Sequence, residues 1–86
     1  MPVVSSFYWI KIAIFYSDHN PPHFHVVYWE YKAIILIKTL EVYDWKLPNR
    51  ALKMVNEWAE KNQDKLLEDW NLAIEHKVLN YIDPLI

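Results

Sequence analysis

Apolar and polar positions alternate in the first half of the chain in the way that β-strands require. Between Phe7 and Tyr16, the residues Ile10, Ile12 and Ile14 fall on one face, because side chains two positions apart in a strand point the same way. The other face holds Phe7, Trp9, Lys11, Ala13 and Phe15. The pattern predicts strands over 7–16, about 24–29 and 31–38, with 41–45 as a short edge strand or an irregular connection.

The second half of the chain has helical periodicity instead. Leu47-Pro48-Asn49 marks a helix start, since proline is tolerated in the first turn, and apolar residues recur at helical spacing through about Lys61. After a break at 62–64, a second apolar stripe begins at Leu66 and ends near His76. We therefore predict two amphipathic helices.

Strands followed by helices are typical of an α+β domain. We expect a small antiparallel sheet of about three strands in the N-terminal half, covered on one face by the two C-terminal helices. The covered face is most simply the side of Ile10, Ile12 and Ile14. The opposite face, with Trp9 and Phe15, is then a candidate interface.

Length and composition indicate one small domain, residues 1–86, with much aromatic surface. A chain of this size buries only about 60–65% of its unfolded surface, yet 53% of its residues are hydrophobic and it has five tryptophans. Some aromatic side chains should therefore stay exposed, which favours a partner or a homo-oligomer. The net charge of −2 gives no overall basic field for tight nucleic-acid binding.

The absence of cysteine and of glycine limits the chemistry and the types of turn that are available to the chain. The chain has no cysteine, which excludes disulfides, thiolate metal sites and cysteine nucleophiles and fits a cytoplasmic location. It has no glycine either, so we expect longer or bulged turns, built on asparagine, aspartate or strained residues. The longest apolar run, Ala33 to Ile37, is far short of a membrane span of about 20 residues, and no signal peptide is recognisable. We expect no membrane association.

Three of the four histidines lie in one proline-containing segment, Asp18-His19-Asn20-Pro21-Pro22-His23-Phe24-His25. Imidazole titrates near neutral pH, binds metals and transfers protons, and prolines stiffen the backbone that presents it. If the segment is extended, His23 and His25 point the same way, and His19 can fold back toward them. This segment is the candidate site.

Acid–base cleavage of RNA is one chemistry that this segment can support. His23 and His25 would act as the acid and base pair: one removes the proton of the 2′-hydroxyl and the other protonates the leaving oxygen. His19 or Asp18 would orient one of them. Candidate substrate-binding residues are those able to hold phosphate, to stack on a base or to line the loop: Arg50, Lys11, Lys32, Phe24, Tyr28, Trp29, Asn20 and Asp18.

Two other interpretations of the segment stay open. His19, His23 and His25 could supply three nitrogens to Zn²⁺ or another divalent metal, with Asp18 as a ligand or as the acceptor that orients an imidazole. The spacing matches no established metal motif, so no cofactor is assigned. Alternatively, the histidines are structural and hydrogen-bond the backbone at a strand start.

Several segments together resemble a small bacterial family known as domain-of-unknown-function family 4160. They are the N-terminal Met1-Pro2-Val3-Val4-Ser5, the His-Asn-Pro-Pro-His-Phe-His signature at 19–25, Leu47-Pro48-x-Arg50-Ala51-Leu52, and Trp58 with Leu66-Leu67-x-x-Trp70. The resemblance implies a stand-alone bacterial protein encoded beside a second small protein, in an arrangement similar to toxin–antitoxin modules. It establishes no catalytic role for His19, Asn20, Pro21, Pro22, His23 or His25.

The chain departs from this family pattern at three turns. Family members usually carry glycine near Trp29-Glu30, near Thr39-Leu40 and at the end of the last helix, Glu75-His76, and this chain does not. The departure leaves the turn geometry open and the histidine signature intact.

Besides a metal-dependent hydrolase with His19, His23 and His25 as ligands, two functional hypotheses follow. The first is a small cytoplasmic protein of a toxin–antitoxin-like module, acting on RNA through the histidine segment, with a partner encoded by the neighbouring gene. The alternative is a non-catalytic protein-binding or oligomerising module that uses the aromatic sheet face of Trp9, Phe15 and Trp29. The sequence leaves open whether the protein is an enzyme.

Overall fold

Five strands and two helices make up the fold. The computed structural model describes residues 2–16 and 18–86, with all their side chains except those of Asp44 and Trp45. The elements are β1 (Val3–Phe7), β2 (Ile10–Ala13), β3 (His23–Tyr28), β4 (Tyr31–Leu36), β5 (Val42–Trp45), α1 (Asn49–Glu60) and α2 (Gln63–Ile74). The strands form one antiparallel sheet in the order β1-β2-β3-β4-β5. The predicted α+β class is confirmed, with five strands where about three were expected.

A hairpin turn interrupts the strand predicted over 7–16. Tyr8 and Trp9 both have positive φ, 48° and 67°, and Phe7 pairs with Ile10 across them. Two positive φ values in a two-residue loop are the pattern of a type I′ turn, which suits the twist of an antiparallel pair. Without glycine or asparagine at these positions, the sequence did not reveal the turn, and β1 was missed.

This hairpin also changes the environment of Phe7. Because the chain reverses after it, Phe7 lies on the helix-covered side, where it is buried and its ring lies 5.4 Å from that of Trp58. The prediction that Phe7 shares a face with Trp9 and Lys11 is therefore wrong.

The helices and the core follow the predicted pattern closely. Both helices lie within two or three residues of their expected bounds, and Pro48 directly precedes α1. Ile10, Ile12 and Ile14 are fully buried in one core with apolar residues of both helices, among them Val55, Trp58, Leu66 and Trp70. The face predicted to be covered is the covered one. Neither described helix has the length and apolar character needed to cross a bilayer.

The other face of the sheet, here called the outer face, carries the rows that position the site. Val27 pairs with Lys11 on β2 and Lys32 on β4, and His25 pairs with Ala13 and Ile34. Cross-strand partners share a face, so these rows are adjacent on the outer face, two residues apart along β3.

The C-terminal residues return across the inner side of the molecule. The amide of Ile82 donates to the carbonyl of Val4 at 2.7 Å, and Nε1 of Trp58 donates to the carbonyl of Asp83 at 2.8 Å. Ile82 is buried among the core residues. The tail thus ties the first strand to α1.

Candidate functional site

The carboxylate of Asp18 bridges two histidine rings. Its Oδ2 lies 2.8 Å from Nε2 of His23 and 3.1 Å from Nε2 of His25. Strand β3 begins at His23, so the two histidines point to the same side, as their spacing predicts. Asp18 reaches them from the loop that precedes β3. We call Asp18, His23 and His25 the bridged cluster.

Both ring nitrogens of His23 face oxygen atoms. Nε2 faces the Asp18 carboxylate, and Nδ1 lies 2.8 Å from the carbonyl oxygen of Pro21. A neutral imidazole has a single N–H, so it can donate to only one of these acceptors. His23 is also buried, 7% exposed, with its ring 5.1 Å from that of Trp70. The ring of His23 is therefore enclosed by its neighbours.

His25 has the more accessible ring of the pair. Its Nε2 contacts Asp18, its ring lies 4.1 Å from that of Phe15, and its side chain is 20% exposed. Among the described residues, none hydrogen-bonds Nδ1 of His25. With the Nε2 proton donated to Asp18, Nδ1 carries a lone pair that is available to accept a proton.

The surroundings of Asp18 keep it ionised. Burial by itself would raise the pKa of this carboxyl. The hydrogen bonds from His25 and from the backbone N–H of His19, together with the contact to His23, outweigh burial and hold the pKa of Asp18 below its ordinary value. An anionic acceptor beside two imidazoles fixes their orientation and stabilises positive charge on them.

A pocket of about 280 Å³ opens beside the cluster. It lies at the small end of the range of ligand sites, so it suits a single small group better than a whole cofactor. Its lining combines the cluster with loop and outer-face residues: Asp18, His19, Asn20, Pro21, His23, His25, Ile34, Leu36 and Tyr43.

His19 and Asn20 lie at the edge of this pocket rather than in the bridged cluster. The side chain of His19 is 95% exposed, and its Nδ1 lies 3.6 Å from Oδ1 of Asp18. The third member that the spacing assigned to His19 is in fact Asp18.

The other predicted substrate-binding residues are dispersed. Phe24 is fully buried, with its ring 6.2 Å from that of Trp58, because it alternates with the histidines and points into the core. Arg50 is exposed on α1 and does not line the pocket. Lys11 and Trp29 line a separate pocket of about 320 Å³ with Trp9 and Val27.

The supporting residues Trp70 and Tyr43 were not anticipated at the site. The period-two alternation predicts Phe15 on the outer face, and Phe15 does pack on His25. Trp70 and Tyr43 come from α2 and β5, far from the histidines in sequence, and no local pattern connects them with the site.

The bridged cluster is also the set of side chains that could hold a metal ion. One ligand atom from each of Asp18, His23 and His25 lies within 4.8 Å of the others. Of the ligands that the sequence left open, Asp18, His23 and His25 belong to this group and His19 does not.

Comparison with known proteins gives one match. No curated protein and no solved structure has significant similarity to the chain. The family described as "Domain of unknown function (DUF4160)" matches residues 9–71, a span that contains the whole bridged cluster, strands β2 to β5 and α1. The resemblance inferred from the motifs is thereby confirmed, and the chain belongs to the DUF4160 family.

Proposed function

We propose that this protein is a small bacterial cytoplasmic protein of a toxin–antitoxin-like module and that it cleaves RNA at the bridged cluster. The observation that carries the proposal is the arrangement of the two ring nitrogens of His25. Asp18 holds Nε2 of this ring, while Nδ1 has no hydrogen-bond partner among the described residues and the ring lines an open pocket. The two-gene module is inferred from the family resemblance.

The geometry of the cluster favours a mechanism that passes through His25. Nδ1 takes the proton of a ribose 2′-hydroxyl, O2′ forms a bond to the adjacent phosphorus, and the bond from phosphorus to O5′ breaks. The proton on His25 then passes to O5′, which leaves a cyclic phosphate and a free hydroxyl. Asp18 orients the ring and stabilises its positive charge. His23, buried and engaged at both nitrogens, is a positioning residue in this proposal.

The outer face supports single-stranded RNA as the substrate. Lys11 and Lys32 are exposed on either side of Val27, which lies two residues, or about 7 Å, from His25 along β3. Beyond this row, Trp9 and Trp29 present exposed rings on which a base can stack. Two lysines alone make a weak electrostatic site, so stacking must supply much of the binding free energy.

A growth and cleavage assay tests this proposal. We expect induced wild-type protein to arrest bacterial growth and to cleave RNA in vitro. The His25→Ala variant should cleave RNA about 10²–10⁴-fold more slowly. His76→Asn is the matched control, because it removes the histidine that does not line the pocket, and its rate should change by no more than about twofold. Circular dichroism verifies folding. A folded His25→Ala variant that cleaves like the wild type would exclude the mechanism.

A second candidate function is supported by a different observation. Trp9 is 76% exposed and Trp29 is 64% exposed, and their rings lie 5.8 Å apart at the tips of neighbouring hairpins. Adjacent exposed aromatic rings commonly mark a protein interface. On this alternative, the protein is a non-catalytic module whose aromatic end binds the product of the neighbouring gene or a second copy, and the histidines are structural.

A further inference from the structure

The bridged cluster has a hydrogen-bond mismatch that a cation would resolve. If His23 donates from Nδ1 to the Pro21 carbonyl, its Nε2 carries a lone pair, and that lone pair faces a carboxylate oxygen 2.8 Å away. Two electron-rich atoms at this distance repel each other unless a proton or a metal ion lies between them. Metal-binding histidines ordinarily donate their second N–H to a carbonyl or carboxylate, which is the arrangement that Pro21 provides.

The spacing of the three side chains also suits a metal ion. In a tetrahedral site with bonds of about 2.1 Å, neighbouring ligand atoms lie about 3.4 Å apart. The separations from Asp18 Oδ2 to the two histidine nitrogens, 2.8 and 3.1 Å, are shorter than this by about 0.3 to 0.6 Å, and all three ligand atoms lie within 4.8 Å of one another. Small rotations of the side chains would open the cluster enough to admit the ion.

We infer that Asp18, His23 and His25 form a binding site for one divalent transition-metal ion, with Zn²⁺ as the best match. Two imidazole nitrogens and one carboxylate oxygen are a common three-residue donor set for zinc. The pocket beside His25 leaves a fourth position open to water or to an incoming ligand. Neighbouring rings of Phe15 and Trp70 pack against His25 and His23, so little side-chain freedom remains to be lost on binding.

Metal binding has a consequence for catalysis, and this consequence rests on the proposed function. An ion on Nε2 of His25 leaves the remaining ring proton on Nδ1, which is the atom proposed to accept the 2′-hydroxyl proton. A bound ion would therefore suppress RNA cleavage at the same cluster, by at least about tenfold at saturation if His25 is the base.

Isothermal titration of chelator-treated protein with ZnCl₂ tests the site without reference to RNA. We expect one ion per chain, with the affinity reduced at least about tenfold in Asp18→Asn, His23→Gln and His25→Gln. His76→Asn is the matched control, because it replaces the histidine that does not line the pocket, and it should bind like the wild type. If His23→Gln fails to fold, the two other variants carry the test. Absence of binding, or binding that these variants leave unchanged, would overturn the inference.

The two proposals can fail separately. Stoichiometric binding in a protein that cleaves no RNA would support the metal site and reject the proposed function. Cleavage by a protein that binds no zinc would support the proposed function and overturn the metal site. Cleavage that zinc stimulates would support the metal site and reject the role of His25 as the base.

Discussion

Asp69, in α2, is a carboxylate enclosed by protein. Its Oδ1 accepts a hydrogen bond from the backbone N–H of Asn80 at 2.8 Å, and its Oδ2 is buried without a partner among the described residues. Burial raises the pKa of Asp69 above its ordinary value, and the charge of Glu68 adds to this effect, while the hydrogen bond from Asn80 opposes it. The hydrogen bond from Asn80 to Asp69 therefore holds the C-terminal tail in place. Ionisation of the buried carboxyl, in contrast, lowers the stability of the folded protein.

The raised pKa predicts a stability difference that depends on pH. The folded protein binds the Asp69 proton more tightly than the unfolded chain does, so stability falls as pH rises from about 3.8 through the folded pKa. Asp69→Asn keeps an acceptor for Asn80 and removes the charge. We expect its advantage in free energy of unfolding to grow between pH 4 and pH 7, by about 1.4 kcal/mol for each unit by which the folded pKa lies above the unfolded one.

Urea unfolding at several pH values measures this difference. Glu57→Gln is the control, because it removes an exposed carboxylate of α1, and its difference from wild type should stay flat across the same range. A difference between Asp69→Asn and wild type that is the same at pH 4 and pH 7 would contradict the assignment.

At the level of elements, the turns are built without glycine. Tyr8, Trp9, Trp29, Leu40 and His76 all have positive φ, in a region where a residue with a Cβ atom costs about 1–2 kcal/mol. Trp29, Leu40 and His76 lie at the three turns where the resemblance to the family predicts glycine. The turns at 8–9 and 29–30 are also tight two-residue loops, so the expectation of longer or bulged turns was wrong there.

The end of α2 shows how such a turn is accommodated. The amide of Lys77 donates to the carbonyl of Leu72 at 2.9 Å, and the amide of His76 donates to the carbonyl of Ala73 at 3.1 Å. These two bonds form a Schellman motif, which ordinarily has glycine at the position of His76. The hydrogen-bond pattern thus persists with a histidine in the left-handed conformation.

Relief of strain in the first hairpin should stabilise the protein. Asparagine tolerates positive φ and is favoured in type I′ turns, so Tyr8→Asn should raise the free energy of unfolding by about 0.5–1 kcal/mol. This gain corresponds to a melting temperature higher by a few degrees. Tyr81→Asn replaces another exposed tyrosine, one without positive φ, and should give no such gain. A Tyr8→Asn variant no more stable than Tyr81→Asn would argue against strain at this turn.

At the level of the whole molecule, the two sides of the sheet differ in how they are covered. The helices and the tail bury the inner side, with Ile82 packed into the core between β1 and the helices. The outer face has no such cover from the described helices, and its aromatic end, Trp9 and Trp29, stays exposed. This asymmetry is the basis of both functional proposals.

Assembly measurements distinguish the two proposals. If the aromatic end is an interface, Trp9→Ala/Trp29→Ala should reduce the mass measured by light scattering to that of a single chain, for the protein alone or with the product of the proposed neighbouring gene. Tyr81→Ala removes an exposed ring elsewhere and should leave the mass unchanged, as should His25→Ala. A wild-type protein that is monomeric alone and binds no such product would reject the interface proposal.

The sequence by itself determined the features that depend on local periodicity. The order of strands and helices, the buried side of Ile10, Ile12 and Ile14, and the common direction of His23 and His25 all follow from spacings of two or of three to four residues. These patterns hold because every turn of a helix and every step of a strand repeats the same geometry.

Only the tertiary structure decided which groups meet at the site. Asp18, rather than His19, contacts both histidines, because the loop before β3 directs the carboxylate of Asp18 toward them and leaves the side chain of His19 exposed. Trp70 reaches His23 from a helix far along the chain. Such contacts arise from packing between distant segments, which no local spacing encodes. The hidden turn at Tyr8 and Trp9 shows the same limit, since its geometry comes from strand pairing and not from the usual turn residues.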